Sequence, residues 1–325
     1  MVSPLPIFEK KRKFYMDMMV LIQQLIKFFI LMSVGYALYK LKIMDSDFNK
    51  KLTNLVLRVC NPCMMIASVF SISEDRNIGK VLSVFAVAIV MYALLPAIGM
   101  GIAKIIGAKD GDVGLYVFMT IFSNIGFMGF PLIESLLGPE ALFYAAIFNM
   151  MFNIMLFTAG VKAVNYPDAE GKSASFKEIA LHPGVISAVI AIILYFANLH
   201  LPVVVTGPID QIGDMTPPLA MLLMGASLAK IPVKDVFNEK KAYIFIAIKQ
   251  IVLPIIAWFV IKRIITDDMI RAVTLIMLSM PIANSVVMFT IEYDRNEELA
   301  AKEVFISTVA SMVLLPLVIY LTYLH

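Results

Sequence analysis

Ser123 to Pro131 read SNIGFMGFP, and these nine residues lie inside a run otherwise apolar enough to cross a membrane. Pro131 removes a backbone donor and clashes with the turn before it, at a cost of ~3 kcal/mol in an ordinary helix. Gly126 and Gly129 relax the dihedral limits around it. At membrane depth such backbone survives only where protein or a water-filled cavity satisfies it. A break also creates a half-helix N-terminus with free N–H groups and about half a positive charge, which favours an anion. Asn124 can donate and accept at the same point. The chemistry expected is anion binding by backbone dipoles and neutral amides.

A second interruption, SMPIANS from Ser279 to Ser285, carries Pro281 and Asn284. Two interrupted helices at matching positions of two halves are the best sequence pointer to a transport site. Asn149 and Asn153 stand i, i+4 on one helix face, and Ser307 and Ser311 do the same, with Thr308 beside them. Such faces either hold helices together, at perhaps ~0.6 kcal/mol per bond, or line the cavity beside the breaks. The expectation is that Asn153 and Ser311 line it and help hold substrate or coupling ion. Lys27, Arg58 and Lys249 are the candidate cations within apolar runs. The first two lie near run ends and snorkel. Lys249, followed by Gln250, lies deeper and could offset a substrate carboxylate. Glu134, Glu292 and Glu303 fall near run ends, so no deep proton-relay carboxylate is expected.

Other chemistries find no support. Cys60 and Cys63 match a CxxC spacing, but within an apolar run rather than a redox fold, and no further cysteine could complete a metal site. His182, His200 and His325 form no cluster, and nucleophile elbow, phosphate loop and metalloprotease motif are all missing. The residues read as neither an enzyme nor a protein with a cofactor or metal. The net charge of +3 is small and nucleic acid is not a partner.

The elements that carry these residues are membrane helices. The chain of 325 residues is 60% hydrophobic and 16% charged, against ~45–50% and ~25% for soluble domains. Runs of ~20 apolar residues suit a bilayer, and ten are found, near 17–39, 50–71, 79–106, 112–136, 140–163, 181–198, 214–231, 241–264, 268–292 and 299–324. EKKRKF at Glu9 to Phe14 resembles the start of a signal peptide, but the apolar segment after it is too long and lacks a cleavage site. Met16 and Met18 mark residues 1–16 as an N-terminal extension. Loops after odd-numbered runs carry fifteen Lys and Arg, including Lys172 and Lys234. The other loops carry five, including Arg76, besides the four of the KKRK cluster. That bias makes the first set cytoplasmic and both termini extracytoplasmic.

The halves also resemble each other. Pro96 answers Pro254, and Asn149 and Asn153 answer Ser307 and Ser311, each at an offset of 158 residues. Pro62 answers Pro218 at 156, and Asn124 answers Asn284 at 160. Five runs per copy is an odd number, so the second copy must enter the membrane from the opposite side. The expectation is an all-α polytopic membrane protein of ten transmembrane helices in two inverted five-helix repeats, 17–163 and 181–325, joined by a cytoplasmic linker over 164–180. Helices four and nine are broken.

The segments FILMSVGYALYKLKIMD, SNIGFMGFPLIESLLGPEALFYAAIFNMMFN, PPLAMLLMGASLA and MPIANSVVMFTIEYDRNEELAAKEVFISTVASMVLLPL, taken in order, resemble the auxin efflux carrier family of transporters. Prokaryotic members are associated with organic acids such as malate and malonate. The resemblance implies that Asn124 and Asn284 match the family's crossover asparagines. It also implies that helices three to five and eight to ten form a transport domain moving against a scaffold of one, two, six and seven. Asn61 stands where the family usually has an apolar residue. The reading is a plasma-membrane carrier of a small organic anion working by elevator-like alternating access, coupled to protons or sodium and assembled as a homodimer. A membrane-embedded sensor or receptor on the same fold is the alternative, disfavoured because these residues include no signalling domain.

Overall fold

The computed structural model describes residues 7–70, 77–166, 177, 180–197, 201–230 and 240–323. Arg76, Lys172, Lys234, His200, His325 and most of the expected linker lie outside the described residues. The helices are α1 (Ile7–Lys40), α2 (Ser46–Leu55), α3 (Asn61–Phe70), α4 (Ile78–Ile105), α5 (Asp110–Ile121), α6 (Phe130–Leu137), α7 (Pro139–Met155) and α8 (Val161–Val164). After the linker follow α9 (Pro183–Ala197), α10 (Val203–Asp214), α11 (Thr216–Leu228), α12 (Lys240–Ala247), α13 (Leu253–Ile264), α14 (Asp268–Ser279), α15 (Ser285–Glu292) and α16 (Glu297–Tyr323). Helix α1 starts at Ile7, so residues 7–16 of the expected extension are helical and continuous with the first apolar run.

Caps start several helices where the sequence supplies them. Asp45, Asn77 and Asp267 accept the orphan N–H groups of α2, α4 and α14. Gly138, at φ 85°, followed by Pro139 at the start of α7, makes the sharp turn out of α6.

Among the described residues, five continuous helical segments are long and apolar enough to cross a membrane: Met18–Lys40, Ser46–Phe70, Ile78–Ile105, Lys240–Ile264 and Glu297–Thr322. A sixth is bent by 43° near residue 156. The shortfall from ten has a physical cause in two cases. The runs 112–136 and 268–292 are each cut into two short helices, α5 with α6 and α14 with α15, none of which spans alone.

Prolines shape the long helices through wide turns. Val56–Cys60, Ile125–Gly129 and Ile248–Val252 are π turns, and Pro62, Pro131 and Pro254 follow each by two residues. In each case the residue before the proline donates five residues back, Asn61 to Val56, Phe130 to Ile125 and Leu253 to Ile248. The extra residue moves the carbonyl that the proline ring would otherwise strike. A fourth π turn, Leu156–Gly160, has no proline; there the Thr158 hydroxyl donates to the Ile154 carbonyl at 2.7 Å.

Helix faces divide between protein and lipid. Along α1, Leu21, Leu25, Phe28 and Met32 are buried while Ile22, Ile26, Phe29 and Ile30 are exposed. Exposed aliphatic side chains recur on α4 and α13, as expected of surfaces meeting acyl chains. The buried face of α1 lies on α11 with backbones in contact. A methyl group on Gly35 would strike the Leu222 carbonyl, and one on Gly225 the Met32 carbonyl. Small residues permit this approach, and close packing is what holds helices together in lipid.

Candidate functional site

The two interruptions meet. Helix α5 ends at Ile121 and α14 at Ser279, and the chain beyond each becomes extended. Ser123 and Ile282 pair as one antiparallel bridge. The Asn124 N–H donates to the Pro281 carbonyl at 2.7 Å, and the Ala283 N–H donates to the Phe122 carbonyl at 3.0 Å. Each break thus satisfies backbone groups that the other freed, which is the condition for irregular chain at this depth. The Ser307 hydroxyl also accepts the Ile282 N–H at 3.2 Å. Phe118, Phe122, Phe152 and Phe289 pack around the first break, with ring centroids 4.6 to 5.3 Å apart.

Two C-terminal and two N-terminal helix ends therefore converge. At the first N-terminus Asn124 is the cap, its Oδ1 accepting the Phe127 N–H at 3.3 Å. Its Nδ2 donates to the Met224 Sδ of α11 at 3.4 Å. A thioether is a weak acceptor, so this amide hydrogen is held loosely. Gly126, half-buried, follows two residues later, and Pro131 is buried in α6. At the second N-terminus Asn284 precedes α15 but makes no side-chain cap, and its side chain is half-buried. Pro281 is buried and contributes only its carbonyl.

Lys249 reaches the same point from the π turn between α12 and α13. It is 0% exposed, and its Nζ donates to the Ser123 Oγ and to the Met280 carbonyl, both at 2.9 Å. One ammonium therefore ties both breaks, on the side where α5 and α14 present their negative C-terminal ends. Both acceptors are neutral oxygens.

The other expected residues divide by helix. Asn153 is buried and donates to the Asn149 carbonyl at 2.8 Å. Both amides lie against Gly184 of α9, where a methyl group would collide with them. Ser307 and Ser311 are fully buried. Ser307 braces the second break, and Ser311 donates to the Thr308 carbonyl and lies 3.9 Å from the Met128 sulfur of the first. Cys60 is a buried free thiol and Cys63 a half-buried one. Arg58 is exposed.

Several residues escaped sequence reasoning. Ser123 was only a letter in the motif, yet it receives Lys249. Gln250 is 1% exposed, and neither amide atom has a hydrogen-bond partner. Glu303, expected near a run end, is 0% exposed. Its position counted from the helix start suggested an end, but 303, 307 and 311 form one i, i+4, i+8 stripe with the two serines, a signal that was available. Asn61, at the start of α3, packs against Gly126 at the first break.

Comparison with known proteins identifies the family. The family described as "Membrane transport protein" matches residues 20–319. An "Uncharacterized transporter" of Methanocaldococcus jannaschii is 26% identical over 299 residues, covering 89% of this chain and 94% of the relative. Another "Uncharacterized transporter", from Methanothermobacter thermautotrophicus, is 22% identical over 289 residues, covering 89% and 94%. A Rhizobium meliloti protein named "Putative malonate transporter" is 26% identical over 306 residues, covering 90% and 93%. This multi-pass chain belongs to the membrane transport protein family, the auxin efflux carrier family whose motifs it carries.

Proposed function

We propose that the protein is a secondary carrier moving a small organic anion, of the dicarboxylate class, across the plasma membrane. The observation that carries this reading is the crossing itself: two half-helix N-termini, preceded by Asn124 and Asn284, joined by reciprocal backbone bonds and a buried ammonium. N-terminal dipoles favour an anion. Asn124 exchanges a thioether acceptor for a carboxylate oxygen at little cost, because the better bond replaces the poorer one. Lys249 supplies a hydrogen-bond donor that is positive when protonated, Gly126 keeps the approach open, and Asn149 and Asn153 complete the polar wall towards α9. Pro131, Pro281, Ser307 and Ser311 hold the breaks in shape. The name of the Rhizobium meliloti relative supports malonate as first probe.

The carrier works without a cofactor, as ten spans in two inverted repeats, 17–163 and 181–325, by elevator-like motion of one half-bundle against the other. Both termini lie outside, and it assembles as a homodimer. Labelling of a cysteine at position 172 from the outside of intact cells would overturn that orientation. Uptake of radiolabelled malonate, malate and succinate into proteoliposomes tests the transport reading, with imposed proton and sodium gradients identifying the coupling ion. Purified protein that neither binds nor accumulates any of these anions refutes it.

A further inference from the structure

The Asn124 amide is held and covered at once. Its Oδ1 accepts the Phe127 N–H at 3.3 Å, and its Nδ2 donates to the Met224 Sδ of α11 at 3.4 Å. Asn124 is 3% exposed and Met224 1%, so another acceptor reaches that amide hydrogen only when the methionine moves. An anion oxygen would stand about 2.8 Å from the nitrogen, in the place the sulfur now fills. The backbone behind Met224 cannot retreat. Gly225, the next residue, lies so close to α1 that a Cβ there would strike the Met32 carbonyl, and a Cβ on Gly35 of α1 would strike the Leu222 carbonyl. What yields is therefore the side chain alone. Methionine suits this role, being unbranched and flexible, with a thioether that accepts the amide hydrogen only weakly.

We propose that Met224 is a specificity-determining residue of the substrate site. Its side chain stands in the anion position, swings aside when a carboxylate takes the Asn124 hydrogen, and limits the size of whatever lies next to that carboxylate. This rests on the anion-carrier reading above. Because α11 is fixed against α1, the displaced side chain shares one space with any substituent on the carbon beside the bound carboxylate. Malonate, with only hydrogens on that carbon, leaves the space to the methionine. Ethylmalonate brings an ethyl group into it. Overfilling a packed interior is destabilising, and one methylene more or less in a pocket discriminates about ten- to two-hundredfold.

Malonate and ethylmalonate carry the same two carboxylates, so their affinity ratio reads the crowding alone. Titration calorimetry on the purified full-length protein gives that ratio for wild type, Met224→Leu, Met224→Val and Met224→Ala. Wild type prefers malonate by about tenfold or more. Met224→Leu, of similar volume, is tolerated by the fold and keeps the preference. Met224→Val narrows it, and Met224→Ala abolishes or reverses it, because the ethyl group fills the space the side chain leaves. The valine variant answers the question if the alanine variant does not fold. A wild-type ratio in either shortened variant overturns the proposal, including an equal loss for both probes, which marks a packing role. A preference lost in Met224→Leu overturns it too, since the size of the side chain then decides nothing. Wild type that binds ethylmalonate as tightly as malonate, or more tightly, refutes it while leaving the carrier reading intact. Wild type that binds neither probe refutes both.

Discussion

Replacing Asn124 by aspartate changes an amide into a carboxylate of nearly the same shape. The cap survives, because either aspartate oxygen can accept the Phe127 N–H now taken at 3.3 Å by Asn124, and Asn and Asp cap helices about equally well. The only donor bond lost in the free protein is the 3.4 Å contact to the Met224 sulfur, a weak one. The cap itself is therefore kept, and the stability lost is the desolvation of a carboxylate at a position only 3% exposed, offset in part by the helix N-terminus. The bound state is different. Loss of one donor to a charged ligand costs ~1.5–3 kcal/mol, roughly one to two decades in affinity. The new carboxylate adds repulsion, which for unit charges 4 Å apart at an effective dielectric of 20 is ~4 kcal/mol before screening. Asn124→Ala loses the donor without adding the charge, so it binds more tightly than Asn124→Asp although it also loses the cap, worth ~1 kcal/mol of stability. Calorimetry with malonate on the two purified variants, beside their melting temperatures, separates the terms. Wild-type affinity in a folded Asn124→Asp protein would show that the anion sits elsewhere.

Three further outcomes are expected. Lys249→Met removes both bonds that tie the breaks and leaves the Ser123 hydroxyl and Met280 carbonyl unpaired, so stability falls by ~1–3 kcal/mol per orphaned group and transport is lost; wild-type melting and uptake would mean that the ammonium does not hold the crossing. Gly225→Ala already sets a methyl group against the Met32 carbonyl of α1, and Gly225→Val adds bulk at the same point, so the yield of monodisperse protein in size-exclusion chromatography falls for the first and vanishes for the second; wild-type elution of both would show that α1 and α11 do not need this close approach. Asn153→Leu abolishes malonate uptake while the protein still folds; full uptake by that variant would leave the asparagine only its contact with Gly184.

The interruptions at Ser123–Pro131 and Ser279–Ser285 were legible in the sequence, because proline, glycine and asparagine inside an apolar run conflict locally with a helix, whatever packs around them. Composition likewise determined the membrane environment, since apolar residues at 60% cannot be hidden in a soluble domain of this size. The turn after α6 was equally local, a glycine at positive φ followed by proline. What only the tertiary structure decided is which side chains face the crossing. A helical periodicity predicts facing only while each residue advances by the same ~100°. The π turns before Pro62, Pro131 and Pro254 each insert one residue and rotate all that follows. Lys249 and Gln250 sit inside one such turn and Asn61 directly after another, so counting along the chain could not aim them. The bond from Lys249 to Ser123 joins residues 126 apart, and that to Met280 joins residues 31 apart. Such pairings arise from how whole helices pack, and no local pattern of residue types encodes them.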